Sequence, residues 1–274
     1  MPFKTPDGKE FSSRAEWRDY MMAAFYSFKG KVNETLTKSS GEVDGQGFDI
    51  ADCDGCTLIV MDNCEQVQID DVKNSRVLIG ACASSIFIRN CTNCVFYTVC
   101  RQLRLRDVKD SNFYIYSMSE VHIEFSSNVR FAPFNGGYPD QKKHMEAANL
   151  DPTRNLWYDV FDHNDPMKTR VNWSLIPVNE YEEAWYPAGP CEPAVPISVA
   201  GSVHRPEAES NAGMQSYGFD QVIADSKGNT TKETLGEVVP PPPTVTAGPS
   251  PVDHIVSVIK AFCSFVSPGD MSVC

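Results

Sequence analysis

The segment Cys100-Arg101-Gln102-Leu103-Arg104-Leu105-Arg106-Asp107 sets three arginines within six residues of a chain whose formal net charge is -12. A guanidinium is a permanent cation with a planar fork of donors, which suits it to phosphate and carboxylate oxygens. Leu103 and Leu105 alternate with Arg104 and Arg106, so a strand here turns the leucines inward and the two arginines outward. Other chemistry-bearing residues are less promising. Cys53/Cys56 and Cys91/Cys94 each have the spacing of a zinc-ligand pair. Gly45-Gln46-Gly47 is followed by no Lys-Ser/Thr and no helix pattern, so it is not a nucleotide loop. His122, His144, His163, His204 and His254 are scattered, and none is assigned a catalytic role.

The arginine strand belongs to a repeat. Phe48–Asp62, Val67–Ala81, Ile86–Cys100, Leu103–Ser117 and Val121–Pro133 line up, with starts 19, 19, 17 and 18 residues apart. Each opens apolar–x–apolar, passes a small polar corner and becomes apolar again. So short a unit cannot bury its own apolar face and must stack on the next. Three short strands per unit predict a mainly β fold: a right-handed parallel β-helix of about five coils, carrying an N-terminal helix and a disordered C-terminal tail.

Stacking fixes which residues are neighbours. Cys53, Val72, Cys91, Val108 and Ser126 share one inward column; Cys56, Ser75, Cys94, Ser111 and, one residue out of phase, Asn128 share the next. The two cysteine pairs therefore lie two coils apart, about 10 Å along the axis, too far for one tetrahedral thiolate site. They read as small buried packing residues, and no metal or cofactor is expected. The outward columns read Asp49, Gln68, Phe87, Arg104, His122 and Ala51, Asp70, Arg89, Arg106, Glu124. Arg89 has Asp70 beside it and Arg106 has Glu124. Arg104 has only Phe87 and His122, which leaves its guanidinium available to an external phosphate.

These residues resemble a known family. The Cys-x-Gln-Leu-Arg run, the Asp-Cys-x-x-Cys and Asn-Cys-x-x-Cys corners, Ile123-Glu124 with Ser126-Ser127-Asn128, and Asn172-Trp173-Ser174-Leu175-Ile176-Pro177 are similar to the tubulin-binding cofactor C domain (cofactor C-like, C-CAP) over about Gly45–Pro177. Within the family they are nearest the retinitis pigmentosa branch, which acts on an Arf-like GTPase. Cyclase-associated proteins share the β-helix without this arginine motif. The resemblance implies GTPase activation: Arg104 as an arginine finger in a partner's nucleotide site, with Gln102 beside it. It also implies Glu124 at the interface. Arg101, Arg106, Arg89, Phe87 and His122 join it as expected partner contacts. Two glutamines usually follow the Cys; here the first is Arg101. The implied partner is an Arf-like small GTPase in its GTP form, or tubulin. The alternative is a non-catalytic structural or adaptor component of a ciliary or microtubule-associated assembly.

The remaining chain is read as appendages. Residues 1–40 hold the helix, with Ser13-x-x-Glu16 as a capping box and Trp17, Tyr20, Met21, Ala24, Phe25 and Phe28 on one face. It covers an end or side of the β-helix or docks a partner. Residues 29–47 read as a loop entering the first coil. The β-helix domain spans 41–180; after Pro133, with a short helix within Pro139–Leu150, an irregular strap follows. Residues 181–250 are a proline-rich linker, and 251–274 an amphipathic helix and tail whose 251–266 stripe suits ciliary or axonemal proteins or its own domain. An acidic balance argues against nucleic acid as partner. No run is long enough to cross a bilayer, and Met1-Pro2 and the terminal Cys274 carry no lipid-anchor signal. Reduced cysteines and no secretory signal predict a cytoplasmic location, with the cilium, flagellum or basal body favoured by the resemblance.

Overall fold

The corners of each coil explain why the period holds. The structure, a computed structural model, describes residues 2–196. In each coil the chain leaves a strand, turns at one left-handed residue, sends one side chain inward, then turns at a second left-handed position. The first corner is Asp52, Asp71, Asn90 and Asp107 in successive coils, with φ of 54°, 56°, 54° and 54°. The second is Gly55, Asn74, Asn93, Asp110 and Asn128, all at positive φ. Most L-residues lose about 1–2 kcal/mol in that conformation, whereas Asn and Asp recover part of it through local hydrogen bonds and Gly has no Cβ to clash. The second corner also links coils through side chains. Asn74 donates to Asp54 at 2.7 Å, Asn93 to Asn74 at 2.8 Å, and Asn128 to Asp110 at 2.8 Å.

Between the corners lie the strands. β1 (Phe3–Lys4) and β2 (Glu10–Phe11) form an antiparallel pair, followed by α1 (Arg14–Phe25). The parallel ladder then comprises β3 (Ser27–Lys29), β4 (Thr35–Lys38), β5 (Phe48–Asp54), β6 (Thr57–Val60), β7 (Val67–Lys73), β8 (Arg76–Arg89), β9 (Val95–Arg106), β10 (Lys109–Ser117), β11 (Val121–Glu124) and β12 (Ser127–Pro133). After α2 (Gln141–Ala147) come β13 (Val160–Asp162) and β14 (Trp173–Leu175). The fold is the expected parallel β-helix, with six coils where five are expected. β3 and β4 pair with β5 and β6, so residues 29–47 are part of a first coil and not simply a loop. That coil escapes the apolar–x–apolar pattern because each of its two strands sends one large apolar side chain, Phe28 and Leu36, to the interior. Phe28 accordingly leaves the helix face and packs on Phe48, ring centroids 5.0 Å apart. At the other end, β13 and β14 pair in parallel with β11 and β12. The segment after Pro133 therefore adds a partial rung as well as running along the side.

Two cores stabilise the ladder. The interior stacks like on like: Phe96 lies 4.9 Å from Phe113, and Phe113 lies 5.4 Å from Phe131. Where the corners interrupt strand pairing, serine hydroxyls of the next coil satisfy buried amides. Ser75 accepts from the Cys56 N–H at 3.0 Å, Ser111 from Cys94 at 3.1 Å, and Ser126 from Val108 at 3.1 Å. Unpaired buried amides would be costly, so a serine in either inward column offsets what the corner leaves unpaired. The last member of the second column is Val129, opposite Ser111 and Trp173, and not Asn128. A second core lies on the outer face of β8, β9, β10 and β12, where Tyr97 stacks on Tyr114 at 4.8 Å. It is covered by α2 and by residues around Trp185.

α1 begins as its sequence indicates, with Ser13 Oγ accepting from the Glu16 amide. Only Met21 is buried within it, while Trp17 and Tyr20 pack on Phe3 and Phe11 of the β1–β2 pair. Ala24 is exposed. Most of the 181–250 stretch and all of 251–274, including the 251–266 stripe, lie outside the described residues.

Candidate functional site

The outward face of β7, β8, β9 and β11 carries the arginines. Asp70 pairs with Arg89, Arg89 with Arg106 and Arg106 with Glu124; one step along, Gln68 pairs with Phe87, Phe87 with Arg104 and Arg104 with His122. The three arginines thus occupy two adjacent columns of one sheet, yet they are held very differently. Arg89 is clamped: its Nε and Nη2 donate to the two oxygens of Asp70 at 2.5 and 2.6 Å, and Nη2 also donates to Gln68 at 3.1 Å. Arg106 is held loosely, 4.0 Å from Glu124 and 3.5 Å from Asp107, with its guanidinium 5.7 Å from the Phe125 ring. Arg104 is exposed and makes no ion pair among the described residues. Its guanidinium rests 5.4 Å from the centre of the Phe87 ring, whose other guanidinium neighbour is Arg89 at 4.9 Å. The cause lies in the column: neither rung beside Arg104 offers a carboxylate.

The backbone beneath Arg104 is stiff. β9 is hydrogen-bonded to β8 on one side and to β11 on the other, and Leu103 and Leu105 are buried in the interior. Beside the guanidinium, Phe87, His122, Ile123, Glu124 and His163 line a depression of about 10 Å³. That is the room one water molecule needs, about 10–15 Å³. The site therefore offers a protruding cation and no cavity for a nucleotide of its own.

The other expected site residues divide. Gln102 sits on the same strand and accepts from the Ser85 hydroxyl at 3.1 Å. Arg101 alternates to a different direction: its Nε donates to the Ala83 carbonyl at 2.8 Å and its Nη2 to the Asn149 carbonyl at 3.1 Å. It joins the ladder to the segment after α2. His122 Nδ1 lies 3.2 Å from His163 Nε2, and its Nε2 lies 3.9 Å from Glu120. His163, Phe161 and Phe125 enter this face without any signal in the repeat. β13 brings the first two, and the alternation Val160-Phe161-Asp162 is the only trace of that strand in the sequence.

Elsewhere the chemistry is structural. The thiols of Cys91 and Cys94 donate to backbone carbonyls of Arg89 and Thr92, at 3.1 and 3.3 Å. Burial pushes Cys91 up to about 12 and Cys94 up to about 11, so both remain thiols, whereas metal ligation uses the thiolate. Cys64, Cys82 and Cys100 form a further buried column that the repeat alignment does not pick out. Among the described residues no three His, Cys, Asp or Glu side chains come together as metal ligands. Ser40, His144 and Asp62 do meet, yet both partners engage the same ring nitrogen, Nε2, at 3.0 and 3.5 Å. A relay needs the base held through its other nitrogen. Asp62 Oδ2 instead accepts the amides of Gly41, Val43 and Asp44 at 3.0, 2.8 and 2.8 Å, fastening the first coil.

A parallel β-helix with left-handed Asn/Asp corners matches a recognised class. The family described as tubulin binding cofactor C matches residues 45–163. Human tubulin-specific chaperone C is 28% identical over 160 residues, 58% of this chain and 46% of that protein. Human protein XRP2 is 30% identical over 196 residues, 72% of this chain and 56% of that protein. The chain spans about half the length of these curated relatives. A solved structure of tubulin binding cofactor C from Leishmania major covers 55% of this chain and 91% of its own, at 21% identity and a TM-score of 0.36. Among the described residues no helix is long and apolar enough to cross a membrane.

Proposed function

We propose that this protein is a GTPase-activating protein for an Arf-like small GTPase or a tubulin-type GTPase, with Arg104 as its arginine finger. One observation carries the reading: of the three arginines on the face, only Arg104 is without a carboxylate partner among the described residues, and it stands on a strand paired on both sides. As water attacks the γ-phosphate of a bound GTP, negative charge builds on the β–γ bridging and γ oxygens. A guanidinium delivered there neutralises that charge, and fingers of this kind contribute about 10³–10⁵ in rate. Arg104 meets the requirement because its cation is not already satisfied and its backbone need not reorganise. Glu124 and Arg106 lie one column away to fix the interface, and Gln102 flanks the finger on its own strand. The nucleotide, its magnesium and the attacking water belong to the partner. The family, one of whose relatives is named for tubulin, supports a GTPase partner.

Single-turnover GTP hydrolysis by an Arf-like GTPase or by tubulin tests this directly. The wild-type chain accelerates it, and Arg104→Ala abolishes the acceleration while keeping the interaction. Equal activity of the two chains would end the proposal.

A second reading, a non-catalytic adaptor in a ciliary or microtubule-associated assembly, is favoured by Arg101. Where the resembled family usually has a glutamine, this chain has an arginine spent on its own backbone. Binding to axonemes regardless of nucleotide state, with no change in GTP hydrolysis, is the outcome that reading expects. Both readings put the protein in the cytoplasm, the second at the cilium, flagellum or basal body.

A further inference from the structure

The first corner column contains one residue that breaks its rule. Gly30, Asp52, Asp71, Asn90 and Asp107 occupy it in the first five coils, all residues suited to positive φ. In the sixth coil the same position is Phe125, at φ 49° and 52% exposed. A bulky residue in the left-handed region is an outlier that persists only where its surroundings hold it there. Here they do: the Phe125 amide donates to Asn164 Oδ1 at 2.6 Å, and the ring lies 5.7 Å from the loosely held guanidinium of Arg106. An exposed ring gains nothing from the protein's own core. Asn at this corner would relieve the strain and cover no less of the interior.

Phe125 also lies close to the candidate site. It follows Glu124, which faces Arg106, two residues along the strand from Arg104. At strand spacings of about 3.3 Å along and 4.8 Å across, Phe125 lies about 11 Å from Arg104. One partner footprint of about 800 Å² covers both positions. Aromatic rings and arginines are the residues that most often anchor interfaces. We infer that Phe125 is the aromatic anchor by which this chain selects its partner. The ring enters an apolar pocket on the GTPase, and Arg106 turns from Glu124 to a carboxylate at the rim of that pocket. This inference rests on the reading of Arg104 as a finger, because it takes the GTPase as occupant of the face.

The experiment compares Phe125→Asn, Phe125→Trp and Arg104→Ala with the wild-type full chain. The probes are an Arf-like GTPase loaded with GTP, or with a non-hydrolysable analogue for binding, and αβ-tubulin. Phe125→Asn is expected to keep or raise Tm, to raise KM and Kd about tenfold or more, and to leave kcat unchanged. Phe125→Trp restores binding. An unchanged KM and Kd in Phe125→Asn overturns the anchor. So does a fall in Tm of several degrees, which would make the ring part of the fold. If Arg104→Ala hydrolyses GTP like the wild type while Phe125→Asn still binds weakly, the finger fails and the anchor stands. Failure of the wild-type chain to bind either probe overturns both.

Discussion

Two faces of the β-helix each present an arginine on a paired strand, and they use it in opposite ways. On the covered face, Arg76 rests against both Tyr97 and Trp185, its guanidinium 5.1 and 4.3 Å from their ring centres. Its Nη2 donates to Tyr97 Oη at 3.0 Å and to Glu182 at 3.2 Å. These contacts hold the segment around 181–185 against the ladder. On the open face, Arg104 rests on the Phe87 ring and has no carboxylate partner among the described residues. The same side chain on the same scaffold is thus a clamp where the next rungs and the strap supply partners, and an available cation where they do not. The setting of an arginine on this fold is decided by what the neighbouring coils supply.

That contrast can be broken most severely at Arg104. Replacing it with Ala is expected to remove about 10³–10⁵ of any acceleration of GTP hydrolysis with no change in Tm, read by single-turnover kinetics beside a thermal melt. The covered face should answer the other way. A Cβ at Gly80 would sit 2.4 Å from the Asp62 carbonyl oxygen and 2.6 Å from the Tyr138 hydroxyl. Gly80→Ala should therefore cost about 3 kcal/mol by overpacking. Urea unfolding measures this, and the folded fraction at low temperature should still accelerate hydrolysis. Arg76→Ala should cost less, about 1–2 kcal/mol, because its ion pair with Glu182 is partly exposed and most of the loss is aromatic stacking. Hydrolysis should be unaffected, and loss of activity there would undo the division between the faces.

The smallest effect concerns pH. Burial lowers the pKa of His144 below its ordinary value, outweighing the pull of Asp62. The unfolded chain then binds a proton more readily than the folded one, so this contribution to stability is complete above the unfolded value. It is lost as pH falls from about 6.5 toward and through the lower folded value. Thermal melts between pH 7.5 and 5.5 should show Tm falling toward acid, with a smaller fall in His144→Gln. An equal fall in both chains would show that His144 contributes nothing to it.

Much of this was readable from residues alone because a solenoid turns sequence spacing into neighbourhood. The phase of Leu103 and Leu105 set the direction of Arg104, and the columns showed Asp70 and Glu124 beside Arg89 and Arg106. What stayed hidden lacked that periodicity. The first coil has a single large apolar side chain, Phe28 or Leu36, in each strand, too few to register as a repeat. β13 and β14 pair with strands more than two repeat lengths back, Val160 with Val121 and Trp173 with Val129, along a chain that has meanwhile made α2, so no fixed period announces them. Phe125 could not be singled out either, because an apolar residue beside Glu124 reads as ordinary until its corner is known to be left-handed. Arg101 lay in the same run as Arg104, yet it stands three residues earlier, between two inward residues, Cys100 and Leu103, and the carbonyls of Ala83 and Asn149 that hold it leave no mark in the sequence.

The central claim is that Arg104 completes a transition state in another protein, and aluminium fluoride tests it most directly. A GTPase bound to GDP and aluminium fluoride mimics the phosphoryl group in flight and gains affinity for a protein that supplies a finger. The account predicts a complex between this chain and the GDP-bound GTPase that forms only when aluminium fluoride is added, and that Arg104→Ala fails to form. Complex formation that ignores the fluoride, or that survives Arg104→Ala unchanged, would contradict it.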